Sequence, residues 1–164
     1  MDGKTRLLSE AAYGKIEREI VKFPAGKKRS AAIAAMVIAQ EEAGWLSPEI
    51  MAEIAAYLEV PLVAIQEIAS FYSLFDTRPV GKYKISVCSN LPCELAGGGD
   101  AARHLKSRLG IAFGETTPDG YFTLVEGECM GSCGDGPVLL VNNKRMHIRM
   151  SNDKIDRLLE DLKR

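Results

Sequence analysis

Residues 82–93 read KYKISVCSNLPC and open the second half of the chain. Tyr83, Ile85 and Val87 alternate with polar residues, which is the period-two pattern of a strand with one buried face. Cys88 and Cys93 follow at the point where this strand ends. The pattern predicts a sheet edge that carries thiols.

The segments after Cys93 predict further helices and strands. A strand over 121–125 is the next one expected, and Asn142-Asn143 marks a hairpin between two later strands. The predicted order is strand, helix, strand, strand, strand, helix. Its remaining elements are a helix capped by Asp100 and ended by Gly110, a strand over 138–141, a returning strand with Met146, Ile148 and Met150, and a helix capped by Ser151 or Asn152.

This order of elements brings the cysteines together. A strand–helix–strand unit normally makes a right-handed crossover between parallel strands, so the first two strands end at the same edge of the sheet. Cys88 closes the first strand, and Cys129 and Cys133 lie just after the second. We therefore expect both thiol pairs to converge although 35 residues separate Cys93 from Cys129. The sequence predicts a metal centre with these four cysteines as its ligands.

Spacing within the pairs bears on which metal is bound. Four residues separate Cys88 from Cys93, and three separate Cys129 from Cys133. Plant-type [2Fe–2S] ferredoxins also begin with a four-residue separation, whereas structural zinc sites accept separations of two to four. A dithiol redox motif has two intervening residues, which neither pair shows. Spacing favours an iron–sulfur centre and leaves zinc, inert thiols and redox thiols as alternatives.

The first half of the chain differs in character. Residues 1–79 contain no cysteine, and only four of the 15 glycines lie in the first 80 residues. The apolar residues of this half repeat at helical spacing, so we expect a small bundle of four short helices. The expected landmarks are a cap at Ser9, a cap at Ser30 with an end at Gly44, a start at Ser47-Pro48, and a fourth helix that opens at Pro61 and includes Tyr72 and Phe75. The predicted class is α+β.

Composition excludes several classes of protein. Lys and Arg total 21 against 22 Asp and Glu in 164 residues, and this balance argues against binding nucleic acid through bulk charge. No apolar run approaches the ~18 residues of a membrane span, so we expect a soluble protein without membrane insertion.

Gly97-Gly98-Gly99 fits part of a dinucleotide fingerprint, but it does not directly follow a strand. We therefore expect neither nucleotide binding nor catalytic residues in this chain.

Three segments carry a family resemblance, namely CSNLPC at residues 88–93, GETTPDG at 114–120 and ECMGSC at 128–133. Together they resemble the 24-kDa subunit family of NADH dehydrogenase, the small iron–sulfur subunit of the NADH-oxidising module of respiratory complex I. Upstream, SFYSLF at residues 70–75 is similar to the aromatic segment before that family's ferredoxin domain. Ser132 and Gly136 depart from the family pattern, in which alanine is more common.

The resemblance implies a helical bundle over residues 1–79 and a thioredoxin-like [2Fe–2S] ferredoxin domain over 80–164. It implies one cluster held by Cys88, Cys93, Cys129 and Cys133. From the glycines themselves we expect backbone N–H groups freed by Gly131 and Gly134 to point at the sulfurs and stabilise their negative charge. The implied role is to exchange single electrons with FMN on a larger flavin subunit, which also binds NADH.

Similar subunits serve NAD-linked formate dehydrogenases and hydrogenases, so the parent complex stays open, and a zinc-stapled interaction module is the alternative from another class. An initiating Met1 without a transit peptide predicts a bacterial protein in the peripheral arm, on the cytoplasmic side of the inner membrane.

Overall fold

The computed structural model describes residues 6–164. They divide into two compact units with the boundary between Pro79 and Val80, where the cysteine and glycine content of the sequence changes. Each unit has its own hydrophobic core. Helices make up the first unit, and a mixed sheet with helices makes up the second, so the predicted α+β class is confirmed.

Four α-helices form the first unit. They are α1 (Glu10–Ile20), α2 (Ala32–Ala43), α3 (Pro48–Leu58) and α4 (Leu62–Phe71). The Ser9 and Ser47 hydroxyls accept backbone N–H groups of α1 and α3, as their positions predict. Gly44 ends α2 at a φ of 85°. Ser30 does not cap α2 because it lies in a 3-10 turn over Lys28–Ala31, and Tyr72 and Phe75 lie beyond α4.

The apolar stripes of these helices build the core of the first unit. Large side chains from four helices and one loop are at most 2% exposed, and each contributes about 1.5–3 kcal/mol of burial free energy. These side chains are Ile16, Met36, Leu46, Ile54, Leu58 and Ile65. Burial of the stripes, which the helical spacing predicted, therefore accounts for the bundle.

One carboxylate ties the chain before α1 to α3. Glu53 accepts the backbone N–H groups of Leu7 and Leu8, at 2.9 Å and 3.1 Å, and the Tyr13 hydroxyl at 2.6 Å. Partial burial raises the pKa of Glu53, but these three donors outweigh it, so the pKa lies below its ordinary value. The ionised form is thus the one that the folded bundle stabilises.

Glu53→Gln is expected to lower the free energy of unfolding of the helical bundle by about 1–2 kcal/mol at pH 7, because a charged acceptor is replaced by a neutral one. A depressed folded-state pKa contributes stability above the unfolded pKa and loses it as the pH falls. The difference between wild type and variant therefore shrinks as urea denaturation is repeated from pH 7 down to pH 4. The control Glu67→Gln changes an exposed carboxylate on α4. An equal loss of unfolding free energy in this control would contradict the stabilising role assigned to Glu53.

The second unit is a five-stranded sheet with three helices. Its strands are β1 (Tyr83–Cys88), β2 (Glu115–Thr116), β3 (Phe122–Gly127), β4 (Leu139–Val141) and β5 (Arg145–His147), in the spatial order β2-β3-β1-β4-β5. Its helices are α5 (Leu91–Leu95), α6 (Gly98–Leu109) and α7 (Asn152–Lys163). The predicted parallel pairing of β1 with β3 is confirmed and sets Cys88 opposite Gly127. All other strand pairs are antiparallel.

Several local predictions for this unit are confirmed, and two are wrong. β5 ends at His147, so Ile148 and Met150 lie beyond the returning strand. Asn142 and Asn143 both adopt positive φ, as a tight hairpin between β4 and β5 requires, and Ser151 caps α7. Asp100 does not cap α6, because Gly97 occupies the N-cap at a φ of 97°. Asp100 instead lies in the first turn and pairs with Arg103.

Within residues 6–164, none of the helices has the length and apolar character that crossing a membrane requires.

Candidate metal centre

The first thiol pair is buried. Cys88 is the last residue of β1, and its N–H donates to the Val138 carbonyl at 3.0 Å. Cys93 lies in α5, whose first turn contains Pro92. Both cysteines are at most 3% exposed and form a small apolar cluster with Val138 and the partly buried Met130. Strand, short helix and apolar neighbours therefore hold this pair away from water.

Two glycines allow the backbone to pack closely around Cys93. A Cβ at Gly98 would lie 2.8 Å from the Cys93 carbonyl oxygen and 3.3 Å from that of Cys88. A Cβ at Gly136 would lie 2.9 Å from the Ala96 Cβ and 3.5 Å from the Cys93 sulfur. The glycine run that imitates a dinucleotide motif thus has a packing role beside the thiols. Sequence reasoning missed that role, although the crowding of glycines around the cysteines pointed to it.

The second thiol pair is exposed. Cys129 and Cys133 flank a loop after β3, with 3.5 Å between their sulfurs. Gly131 adopts a φ of 79°, and its N–H donates to the Cys129 sulfur at 3.5 Å. A backbone donor near Gly131 was expected, whereas no contact of the Gly134 N–H with a sulfur occurs within the described chain.

Burial and neighbouring thiols raise the pKa of one cysteine in each pair. Burial is the largest cause that raises the pKa of Cys93 to about 11, and its hydrogen bond with Cys88 and the charge of that thiol add to it. The hydrogen bond with Cys129, followed by the Cys129 charge, raises the pKa of Cys133. Cys133 also raises the pKa of Cys93, and Cys88 raises that of Cys133. Since metals bind thiolates, loading this site releases protons.

The donor set consists of four thiols in two pairs, which is a ligand set that a [2Fe–2S] cluster uses. Within residues 6–164, no three His, Cys, Asp or Glu side chains are grouped closely enough to hold one metal ion. A structural zinc needs about four ligands at one point, whereas a [2Fe–2S] cluster spreads four thiolates over two irons. Four thiols arranged as two pairs match the second arrangement. The four cysteines remain the predicted ligands.

Comparison with known proteins supports the same class. The family model described as thioredoxin-like [2Fe–2S] ferredoxin matches residues 16–163. An NADH-quinone oxidoreductase subunit of Rhizobium meliloti is 40% identical over 148 residues, which are 90% of this chain and 86% of that protein. A corresponding NADH-quinone oxidoreductase subunit of Thermus thermophilus is 36% identical over 148 residues, covering 90% and 82% of the two chains.

A solved structure is also similar. A chain of the NAD+-reducing [NiFe]-hydrogenase in the H2-reduced state superimposes with a TM-score of 0.67 at 26% identity. The match covers 78% of this chain but only 22% of the hydrogenase chain, so it concerns a fraction of that larger protein. The sequence resemblance to the NADH dehydrogenase subunit family and the thioredoxin-like fold are confirmed by these matches. This chain belongs to the thioredoxin-like [2Fe–2S] ferredoxin family.

Proposed function

We propose that this chain is the electron-transfer subunit of the NADH-oxidising module of respiratory complex I, an NADH:quinone oxidoreductase. Its cofactor is one [2Fe–2S] cluster. The observation that carries the proposal is the presence of two thiol pairs beside the ends of β1 and β3, in a chain that matches quinone oxidoreductase subunits over nine-tenths of its length. We assign this role to residues 80–164, as a ferredoxin domain distinct from the helical bundle of residues 1–79.

Cys88 and Cys93 would hold one iron, and Cys129 and Cys133 the other. When bound, the cluster accepts and returns one electron at a time. The chain's own groups set the surroundings of the sulfurs: Val138 packs against the buried pair, and the Gly131 N–H points at the Cys129 sulfur. A backbone donor at an anionic sulfur stabilises negative charge, so it favours the reduced state.

The partner proposed for this chain is a larger flavin subunit. The sequence offers no complete nucleotide site and no nucleophile–base pair, so hydride transfer from NADH to FMN would occur on that subunit. The relatives are subunits of NADH-quinone oxidoreductases, which supports assembly in a multi-subunit complex. We place this assembly in a peripheral arm, on the cytoplasmic side of a bacterial inner membrane.

Copurification and spectroscopy test the proposal. The tagged chain is expected to copurify with a flavin subunit, and the isolated chain to show iron–sulfur absorption but no NADH-dependent dye reduction. A colourless protein with one zinc, made with iron and sulfide available, would support the zinc-stapled interaction module instead. Dye reduction by the flavin-free chain would contradict the placement of the NADH site.

A hydrogenase is the second candidate for the parent complex. The similarity to a chain of the NAD+-reducing hydrogenase favours it. Copurification with hydrogenase subunits and hydrogen-dependent reduction of NAD+ would identify that complex, whereas NADH-dependent quinone reduction identifies the first candidate.

Ser132 is expected to raise the reduction potential of the cluster. It directly precedes Cys133 and is half-buried, and within the described residues its hydroxyl has no hydrogen-bond partner. A hydroxyl donor to a sulfur favours the reduced state by about 0.5–1.5 kcal/mol, which corresponds to about 20–60 mV for one electron. Ser132→Ala should lower the potential by that amount in a redox titration followed by electron spin resonance. An unchanged or higher potential would remove the hydroxyl from this role.

A further inference from the structure

The two thiol pairs differ in exposure and in backbone support. We propose that Cys129 and Cys133 form a reversible disulfide in the chain before cluster loading, whereas Cys88 and Cys93 remain thiols. The disulfide itself follows from the contacts of this chain. Its consequence for loading rests on the proposed function, in which all four thiols are ligands.

The sulfurs of Cys129 and Cys133 are placed so that a disulfide can form between them. Its sulfurs are 3.5 Å apart, and a disulfide bond is about 2.0 Å long, so closure requires an approach of about 1.5 Å. Residues 128–132 lie in neither helix nor strand, and Cys133 begins a short 3-10 turn over Cys133–Asp135. Gly131 is in the left-handed region, and a Cβ at Gly134 would meet no atom within 4 Å. The loop therefore has room for small rotations of the two side chains.

Cys88 and Cys93 are shielded from solvent and held in place by their backbone. Cys88 is fixed in β1 by its hydrogen bond to Val138 and its pairing with Gly127, and Cys93 belongs to α5. Both side chains are at most 3% exposed, so a dissolved oxidant does not reach them. Oxidation is thus directed to the exposed pair.

A peroxide is a sufficient oxidant. One thiol attacks hydrogen peroxide, which breaks the O–O bond and gives a sulfenic acid and water. The second thiol displaces the sulfenic oxygen as another water and forms the S–S bond. In balance, two thiols and one peroxide give one disulfide and two waters. A dithiol reductant cleaves the disulfide by exchange, which returns both thiols, and becomes a disulfide itself.

The consequence is control over cluster loading. The disulfide withholds two of the four thiols, including the Cys129 sulfur that accepts the Gly131 N–H. Iron and sulfide would therefore load the chain only after reduction of this bond. Its exposure leaves the bond accessible to a dithiol protein or a small dithiol.

The experiment uses the full-length chain, freed of metal and reduced. The chain is treated with one equivalent of hydrogen peroxide, denatured, alkylated, reduced, and alkylated again with a reagent of different mass. The expected peptide map shows the first label on Cys88 and Cys93 and the second on Cys129 and Cys133. Cys88→Ser should still form the bond, whereas Cys129→Ser should not.

Reconstitution provides a second measurement. The oxidised wild-type chain, given iron and sulfide without a dithiol, is expected to gain cluster absorption more slowly than the reduced chain, because sulfide must first cleave the disulfide by exchange. Dithiothreitol should restore the rate of the reduced chain. First labels on all four cysteines, a bond between Cys88 and Cys93, or mixed pairing would overturn the proposal. A chain that forms the predicted disulfide but takes up no cluster after reduction would refute the proposed function while leaving the disulfide intact.

Discussion

Serine in place of any one of Cys88, Cys93, Cys129 or Cys133 is expected to remove most of the iron, sulfide and visible absorption from the protein. Serine offers a harder oxygen ligand that ionises far less readily than a thiol. Replacing a residue that only orients a metal ligand already costs about 10–100-fold in affinity, so loss of a ligand itself should cost at least that much. Iron and sulfide analysis with absorption spectra measures the effect.

The cluster-free variants should separate into two groups by stability. Cys88→Ser and Cys93→Ser leave a hydroxyl in an apolar cluster, which costs about 1–3 kcal/mol when it finds no partner. Cys129→Ser and Cys133→Ser change exposed positions and should alter stability by less than about 0.5 kcal/mol. Denaturation of the metal-free proteins therefore distinguishes loss of a ligand from loss of the fold.

Ser132→Ala is the matched control for the Cys129 and Cys133 variants. It changes a side chain in the same loop, next to Cys133, and should keep full iron content. Wild-type iron content and spectra in all four cysteine variants would refute the ligand assignment. Loss of iron in the control as well would mean that the loop tolerates no change, and the ligands would then need another test.

Local sequence signals predicted most of the architecture. Period-two alternation located β1, and the handedness of strand–helix–strand crossovers gave its parallel pairing with β3. Ser9, Ser47 and Ser151 cap helices because side-chain oxygens satisfy backbone donors that have no other partner. These features depend on neighbours in the chain, so one sequence is enough to predict them.

Elements that depend on distant contacts were not predictable in the same way. α5 has five residues and β2 has two, and both are too short to show a period. The start of α6 was misplaced because Asp100 is the better cap in isolation. Gly97 takes that position in the structure, and Gly98 then packs against the Cys93 carbonyl. That contact is between residues of two different elements, so no sequence pattern within either element predicts it.

The sequence also did not predict that one thiol pair is buried and the other exposed. Each cysteine pair begins at or just after the end of a strand, which makes the two local patterns similar. Their burial depends on what covers them: Val138 and Met130 pack against Cys88 and Cys93, whereas Cys129 and Cys133 are exposed. Spacing predicts which residues can be ligands, but only tertiary packing decides how each is solvated.

Gly98→Ala tests whether the close contact at Cys93 outweighs the usual preference of a helix for alanine over glycine. Alanine is favoured over glycine inside a helix by about 1 kcal/mol, so propensity alone predicts a gain in stability. At Gly98, however, the added Cβ would lie 2.8 Å from the Cys93 carbonyl oxygen and 2.9 Å from its carbon. These are backbone atoms, which cannot rotate away as the end of a side chain can.

The variant is therefore expected to lose about 1–3 kcal/mol of unfolding free energy in the second unit, the usual cost of overpacking. Displacement of Cys93 should also speed cluster loss, followed as the decay of visible absorption in the presence of a chelator. Gly14→Ala in α1 is the matched control, since its Cβ would meet only the end of the Arg18 side chain at 3.9 Å. That change should stabilise the first unit by about 0.5–1 kcal/mol and leave the cluster unaffected. A stabilised Gly98→Ala protein that keeps its cluster would show that the contact between α6 and Cys93 does not position this thiol.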